Sequence, residues 1–540
     1  MNERPTANGG RQTAQEVHCP SEAGDPEGMG FLRKWRGGLA TPWDSYHDPV
    51  SLEEATGAGA AQVFQGNSIQ TKPRCHLLSS VPRYLTESNK PLLYLPLCLI
   101  ALLYLALYVR YSFRAWFLSD DFLYLQQFKN CICINEVVSL GNSGRFISRN
   151  VYWYAMEHLF GMNSVCYFLV NLALLIILSW LCFLLVRQLT NSHDAGVFSG
   201  IIYFIMVPTQ FNFGWISNTQ HLIGHFFVLV FLLLSCNERF LADAHRLRTS
   251  LALISLFVCG LYSNIGMFAV IPSLIAYIVL FSGVSGLDKP KVTLILVLSL
   301  CSILFWTRVK GNLDAEHAAH FTFSQFVDTL FFYGTLGSKK VLGLITLAVS
   351  LLLVCATTVW FVLKRDRIGL FLIVLAGSFY IPFAFLVWQR HMNYMSLPVF
   401  FLTSSMIYLV IRYVKAPAVT YLVVLIHILF IFKTGPKSYY DQPAAGSFAR
   451  TFIEELNQLD LKGYKRVCLQ SLDPQPPNKT GVKFWDISES WHMIGDGDAM
   501  RLFGAVRADY LPYGATPCLN HPTVIVDKDL RIVKILFPDV

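Results

Sequence analysis

Long apolar blocks separated by short polar segments run from residue 91 to residue 433. An α-helix rises about 1.5 Å per residue, so roughly 20 apolar residues cross a hydrocarbon layer of about 30 Å. The pattern therefore predicts an all-α polytopic membrane protein with about eleven transmembrane helices. The predicted spans are residues 92–109, 164–186, 196–207, 221–236, 250–263, 265–282, 292–306, 341–363, 368–388, 395–411 and 419–432.

The two ends of the chain have a different pattern. Residues 1–90 are polar and rich in Gly, Pro, Ser and Thr, which predicts a disordered cytoplasmic tail rather than a cleaved leader. Residues 434–540 return to a mixed pattern, with a helix predicted at 448–461, a strand at 464–470 and a hairpin at 523–537. This region is predicted to form a small C-terminal α/β domain beside the transmembrane domain, residues 91–433.

Composition supports the membrane prediction. Charged residues make up only 14% of the 540 residues, against about a quarter in soluble proteins, and a large core does not explain that deficit. The net charge of +8 is interpreted as loop charge with affinity for lipid phosphates, and no nucleic-acid partner is predicted.

The distribution of basic residues predicts the orientation. The short loops after the even-numbered spans carry Lys and Arg, whereas the opposite short loops carry almost none beyond Arg390. The positive-inside rule then places the N-terminus in the cytoplasm and the C-terminal domain outside, with the first long loop, residues 110–163, also outside. The basic residues of the inner loops are Arg187, Arg239, Arg246, Arg248, Lys289, Lys291, Lys364, Arg365, Arg367, Arg412 and Lys415.

Two cysteines stand apart from the rest. Cys468 and Cys518 are the only cysteines of residues 434–540, whereas many of the others lie in apolar blocks, where they behave as small hydrophobic side chains. An outside location is oxidising, so a disulfide between the two is predicted. Two buried free thiols are the alternative.

An acidic pair follows the first predicted span. A carboxylate of Asp120 or Asp121 at the membrane surface can accept the proton of an acceptor hydroxyl as that hydroxyl attacks the anomeric carbon of a sugar. Alternatively, Ser119 caps a surface helix and both acids interact with its positive N-terminal dipole. The spacing alone favours the helix-cap interpretation.

The order of the motifs that follow changes this balance. After the acidic pair come Gly144-Arg145-Phe146, an aromatic stretch at 152–154, His158-Leu159-Phe160-Gly161 and a second span with Asn171. This order resembles the membrane glycosyltransferases of the GT-C fold, particularly the protein O-mannosyltransferase-like group and its bacterial relatives. Trp215-Ile216-Ser217 and the segment 390–398 are similar to later loop motifs of that group, although His391 departs from its commoner Glu-Arg-Tyr form.

The resemblance implies an inverting transfer of a sugar from a polyprenyl-phosphate donor, with Asp120 or Asp121 as the catalytic base. The chemistry also needs cations for the donor phosphate, and arginine suits this because its donors have a fixed geometry. Arg145 and Arg390 are the first candidates and Lys310 and His391 the next, with interfacial snorkelling as the alternative for each. The residues predicted to contact the acceptor or the lipid are Tyr152, Trp153, Trp215 and Tyr394.

The sequence leaves the cofactor open, with a divalent metal ion as one option. His221 and His225 are four residues apart and share a helix face, but no third ligand is nearby. The segment Asp496-Gly497-Asp498 resembles a metal-binding DxD motif, although glycine beside acids is more typical of a turn.

The sequence thus predicts a GT-C-type glycosyltransferase of the cell envelope that acts on a glycan, lipid or protein acceptor. Its predicted location is a bacterial inner membrane, with the endoplasmic reticulum membrane as the alternative. An envelope-polysaccharide polymerase or ligase is a rival interpretation, and a flippase or transporter is another. Few ionisable residues lie within the predicted spans, which disfavours an ion-coupled transporter.

Overall fold

The computed structural model describes most of the chain from residue 90 onward. The residues outside the description are 1–89, 130, 132–133, 140–142, 237–245, 311–323, 325, 328, 330–340, 385–391, 415–436, 462, 473–497, 504–506, 512–515, 528–530 and 539–540. The predicted N-terminal tail therefore falls outside it, as do Arg390 and His391. All described residues belong to one unit, Arg83–Val540.

The described part is mostly helical, with a small sheet near the C-terminus. Short 3₁₀ or π segments precede or follow several helices, among them Ser143–Arg145, Phe146–Val151, Ile216–Asn218 and Met392–Met395. The helices are α1 (Lys90–Ser112), α2 (Asp120–Lys129), α3 (Ile134–Ser139), α4 (Tyr152–Phe160), α5 (Ser164–Thr190), α6 (His193–Ile205), α7 (Val207–Gly214), α8 (Thr219–Ser235), α9 (Arg246–Leu261), α10 (Val270–Ser282), α11 (Lys289–Lys310), α12 (Val341–Leu363), α13 (Arg367–Ala384), α14 (Ser396–Leu409), α15 (Lys437–Gln458) and α16 (Asp498–Phe503).

Seven helices within the described residues are long and apolar enough to cross a membrane, or eight if the bent pair α6–α7 is one span. Two shorter apolar helices, Leu247–Leu261 and Leu347–Leu363, lie where further spans were predicted. Ten of the predicted spans thus coincide with apolar helices of the structure, and the eleventh, 419–432, lies outside the described residues.

The break between α6 and α7 explains why the third predicted span looked short. Met206 has an extended backbone (φ −68°, ψ 147°), and Pro208 occupies the first turn of α7, where its missing N–H is not needed. The two helices are bent by 48° at this point. The apolar pattern therefore continues past residue 207, but in a new direction.

Helix α1 is apolar on its exposed side and carries tyrosines on its packed side. Leu99 and Leu102 are 58% and 60% exposed, whereas Tyr104 and Tyr108 are buried. The Tyr108 hydroxyl donates a hydrogen bond to the Phe204 carbonyl at 2.8 Å. A helix that faces water shows the opposite arrangement. The outward face of α1 therefore suits an apolar solvent.

The C-terminal sheet has the strand order β2-β1-β3-β4. Its central strand β1 (Arg466–Ser471) pairs parallel with β2 (Arg507–Leu511) and β3 (Thr523–Val526), and β3 pairs antiparallel with β4 (Ile532–Leu536). The predicted strand at 464–470 and hairpin at 523–537 are confirmed as β1 and β3–β4. The predicted helix is confirmed as α15, which ends at Gln458. Cys468 of β1 and Cys518 are joined in a disulfide.

The C-terminal region shares a hydrophobic core with the first long loop. Buried residues of this core include Phe117 and Phe122 from the loop, and Phe452, Val467 and Val524 from the C-terminal helix and sheet. A separate and larger core lies among the apolar helices. The C-terminal α/β region is therefore packed onto the loop that carries the acidic pair, which the sequence pattern did not indicate.

Candidate functional site

The acidic pair forms the first turn of α2. The chain turns sharply at Ser119, whose φ of 54° lies in the left-handed region that few non-glycine residues adopt. The Leu118 and Ser119 carbonyls then accept hydrogen bonds from the amides of Asp121 and Phe122. Carboxylates in a first turn interact favourably with the positive end of the helix dipole. The turn at Ser119 thus fixes where both acids begin the helix.

Asp121 is fully buried and its oxygens are occupied by protein donors. Its Oδ2 accepts the Leu118 amide at 3.0 Å, and its Oδ1 accepts the Ser217 amide at 2.8 Å. The Ser217 hydroxyl also donates to Oδ1. Burial raises the pKa of Asp121 to about 8, because desolvation outweighs these hydrogen bonds, and the neighbouring Asp120 adds to the rise. Asp121 therefore ties the first long loop to the 215–217 segment and holds its proton at neutral pH.

Asp120 occupies a different environment although it is adjacent in sequence. Its side chain is only half-buried, because consecutive helical residues point about 100° apart. Its charge is felt by Asp121 and by the buried phenol of Tyr124. The half-buried carboxylate of the pair is thus Asp120, and the fully buried one is Asp121.

Two arginines lie near Tyr124, a buried residue of the same helix α2. Arg145 donates to Gln220 Oε1 at 3.1 Å and also hydrogen-bonds Tyr394. The guanidinium of Arg149 lies over the Tyr124 ring, 4.4 Å from its centroid, and its buried Nε has no hydrogen-bond acceptor among the described residues. In the part of the chain that the structure describes, neither arginine forms an ion pair with a carboxylate.

The buried phenol of Tyr124 lies within electrostatic range of Asp120, Asp121, Arg145 and Arg149. Burial raises its pKa to about 12, and Asp120 adds to the rise, whereas Arg149 and Arg145 oppose it. Both carboxyl groups and both guanidinium groups therefore act on one buried phenol. The cluster combines carboxyl and guanidinium groups around the first turns of α2.

The predicted contact residues are mostly packed inside the protein. Trp153 is 1% exposed and packs between Tyr124 and Tyr167, and Tyr152 is buried with its hydroxyl 3.4 Å from Asn171 Oδ1. Tyr394 is also buried and stacks on Phe383. All three side chains are packed among other protein side chains, and their contact with an acceptor or a lipid stays a prediction.

Trp215 is the half-buried member of the predicted contact set. Its indole Nε1 donates to the Leu118 carbonyl at 3.1 Å. The Trp215-Ile216-Ser217 motif is thus hydrogen-bonded to the acidic pair and to the turn before it. Trp215 donates to the Leu118 carbonyl, and Ser217 donates to the Asp121 carboxyl group. These hydrogen bonds fix the position of Asp121 and of the turn that precedes it.

The two histidines of α8 have separate protein partners. His221 Nδ1 lies 2.8 Å from Asn264 Nδ2, and His225 Nδ1 lies 2.8 Å from the Tyr203 hydroxyl. Within the described residues no group of three or more His, Cys, Asp or Glu side chains is arranged to hold a metal ion. The Asp496-Gly497 part of the DxD-like segment lies outside the description, as does the side chain of Lys310.

Sequence reasoning missed Arg149 and Tyr124 as members of the site. The available signal was spacing: Arg149 follows Arg145 by four residues and thus recurs on one side of a helical turn. Tyr124 gave no such signal, because an aromatic side chain on the packed face of a short helix is ordinary core. No protein-family model matches the chain, and no curated protein is significantly similar to it.

Proposed function

We propose that the protein is a multi-pass membrane glycosyltransferase of the GT-C type. It moves a sugar from a polyprenyl-phosphate donor to a glycan, lipid or protein acceptor, with inversion at the anomeric carbon. The observation that supports this best is that the half-buried Asp120 and two arginines act on the same buried phenol, that of Tyr124. Neither arginine has a carboxylate partner among the described residues. The outward leucines of α1 and the seven long apolar helices support the membrane location.

The proposed reaction assigns different roles to the two acids. The acceptor hydroxyl oxygen attacks the anomeric carbon while the bond from that carbon to the phosphate oxygen breaks, and its electron pair leaves with the phosphate. Asp120 accepts the hydroxyl proton. Asp121, whose oxygens are occupied and whose pKa is about 8, positions the loop.

Arg145 and Arg149 are proposed to bind the donor phosphate. A guanidinium that bonds only neutral groups keeps its charge available for an anion, and a phosphate leaves more readily when that charge is held. The contact of Arg145 with Gln220 and the contact of Arg149 with Tyr124 fix both cations without neutralising them. The predicted roles of Arg390, His391 and Lys310 remain part of this proposal.

The test is transfer of radiolabelled sugar from polyprenyl phosphate by purified protein. Asp120→Asn keeps the side-chain shape but removes the proton acceptor, so turnover should fall about 10²–10⁴-fold while donor binding persists. Glu157→Gln, in the same loop but paired with His158, is the control and should keep the parent rate. Arg145→Gln should weaken donor binding, whereas Arg114→Gln, an exposed arginine of the loop, should not.

Transfer at the parent rate by Asp120→Asn would contradict the assignment of Asp120 as the base, and transfer at the parent rate by Asp121→Asn as well would contradict the whole proposal. The two carboxylates would then serve only the helix terminus. A polymerase or a flippase, which needs no base at this position, would become the better interpretation. Thermal unfolding of each variant separates a lost base from a lost fold.

A further inference from the structure

A groove of about 480 Å³ lies where the start of α5 meets α15 and α16. Its size is within the range of about 300–1,000 Å³ that small-molecule sites occupy. Two aromatic side chains, Trp116 and Phe503, line it together with polar side chains from both chain regions. The polar lining consists of Asn163, Ser164, Arg450, Glu454 and Asn457.

Contacts within the protein hold most of this lining in place. The rings of Trp116 and Phe503 are 4.9 Å apart, and Asn457 Nδ2 donates to the Phe503 carbonyl at 3.1 Å. Arg450 Nε donates to Glu454 Oε1 at 2.8 Å. Asn163 is exposed at the N-terminus of α5, and its side chain does not cap that helix. Its amide is therefore directed to solvent with both donor and acceptor capacity.

The charges of the lining favour a neutral ligand. Arg450 and Glu454 are paired and their charges cancel, so the groove offers no net attraction to a phosphate or to a charged peptide. An acyl chain is also disfavoured, because it would remove water from an ion pair and two amides without replacing their hydrogen bonds. The ligand should instead combine apolar faces with many hydroxyl groups.

We propose that this groove binds a neutral carbohydrate. The C–H faces of a pyranose ring can pack against an aromatic ring, and each hydroxyl both donates and accepts hydrogen bonds. The amide, carboxylate and guanidinium groups of the groove can donate hydrogen bonds to such hydroxyls and accept hydrogen bonds from them. The lining thus matches the two kinds of surface that a sugar presents.

The position of the groove indicates which substrate of the proposed reaction a bound sugar represents. Trp116 also packs on Phe122, at 5.4 Å between ring centroids, and Phe122 directly follows the acidic pair. A saccharide in the groove therefore contacts the same aromatic wall that supports the first turn of α2. Resting on the proposed glycosyltransferase function, we assign the groove to the glycan acceptor.

Saccharide binding can be measured without any transfer reaction. The protein is placed in phospholipid nanodiscs, because maltoside and glucoside detergents carry sugars, and saturation-transfer difference NMR is recorded with methyl hexopyranosides and their disaccharides. At least one of these should bind. Glu454→Ala should weaken that binding about fivefold or more, the loss of one hydrogen bond. Asn163→Ala should act in the same direction.

Glu455→Ala is the matched control, because Glu455 is the next residue of α15, is exposed and does not line the groove. It should leave the affinity within twofold. Equal effects of Glu454→Ala and Glu455→Ala, or no binding by any saccharide, would overturn the proposal. Binding of inorganic phosphate that depends on Arg450 would overturn it in favour of an anion site.

The outcomes also separate this proposal from the proposed function. Saccharide binding sensitive to Glu454, with no effect of Asp120→Asn on transfer, would retain the groove and remove the catalytic assignment. A large effect of Asp120→Asn with no saccharide binding would do the reverse. Equal unfolding midpoints for Glu454→Ala, Glu455→Ala and the parent exclude a loss of fold as the cause.

Discussion

At the residue scale, two adjacent aspartates differ because one is removed from water. Asp121 is buried against Ser217 and the Leu118 amide, whereas Asp120 is half-exposed. Burial disfavours the ionised form, so the pKa of Asp121 is about 8 instead of its ordinary 3.8. The same sequence of two acids therefore contains one half-buried carboxylate and one fully buried carboxyl group that ties the first long loop to the 215–217 segment.

The raised pKa of Asp121 predicts a pH-dependent stability. Between pH of about 4 and 8 the folded protein holds a proton at Asp121 that the unfolded chain has lost, so stability falls as the pH rises through this interval. Asp121→Asn does not titrate and should flatten this part of the curve. Thermal unfolding of parent and variant from pH 4 to pH 9 measures the difference. Identical slopes would show that Asp121 is ionised in the folded protein.

At the element scale, α15 and α16 belong to the site because they pack on the first long loop. Phe503 of α16 lies against Phe117 and Phe122 of the loop as well as Trp116. Gly446 of α15 lies against the loop backbone, and a Cβ at this position would be 2.9 Å from the Trp116 carbonyl oxygen. The close approach of the helix to the loop therefore requires glycine here.

Gly446→Ala should separate α15 from the loop. A backbone carbonyl cannot move aside as a flexible side chain can, so overpacking of about 1–3 kcal/mol is expected, measured as a lower unfolding midpoint. Gly377→Ala is the control, because a Cβ there meets nothing within 4 Å. It should be neutral or stabilising, since alanine is the better helix former. An unchanged unfolding midpoint for Gly446→Ala would mean that α15 does not approach the backbone of the first long loop this closely.

The disulfide between Cys468 and Cys518 closes a loop across the C-terminal sheet. The two residues are 50 positions apart, and the chain-entropy account gives about 4 kcal/mol for closing such a loop. Alkylation without reductant should leave both thiols unmodified, and reduction should expose both. Equal labelling of Cys468 and Cys518 before reduction would show that no bond is formed in the cell.

At the scale of the whole molecule, the apolar helices and the loop charges together predict an orientation. The basic residues of the short loops follow the even-numbered predicted spans, which predicts that the N-terminus is inside and the C-terminal region outside. The packing of the C-terminal region on the first long loop requires both to lie on the same side. The two arguments use different observations and agree.

Fusions at the C-terminus test the orientation. Alkaline phosphatase, which needs an oxidising compartment, should be active when fused after Val540, and a fluorescent protein exported unfolded should be dark. The opposite pair of results would place the acidic pair in the cytoplasm. It would also contradict the oxidising environment that the disulfide requires.

The local features of this protein follow from its residue order. Apolar block length determined ten of the predicted spans as helices, because a helix satisfies its own backbone hydrogen bonds wherever an apolar stretch is long enough. The alternation at residues 523–537 determined the β3–β4 hairpin for a similar reason, since its pairing partner is adjacent in the chain. The acidic pair was found because its position after a span is visible in the residue order.

Contacts between residues that are far apart in the chain could not be predicted from the residue order and are seen only in the folded protein. Ser217 reaches Asp121 across 96 residues, and Phe503 reaches Phe122 from the other end of the chain. Burial depends on such contacts, so the sequence could not assign different environments to Asp120 and Asp121, or predict that Trp153 is core. Strand β2 was missed because its partner β1 is parallel and distant. The hydrophobic periodicity of a segment indicates which face of that one helix or strand is buried. A functional site is formed where the faces of several helices and strands meet, and the periodicity of a single segment does not indicate which faces meet.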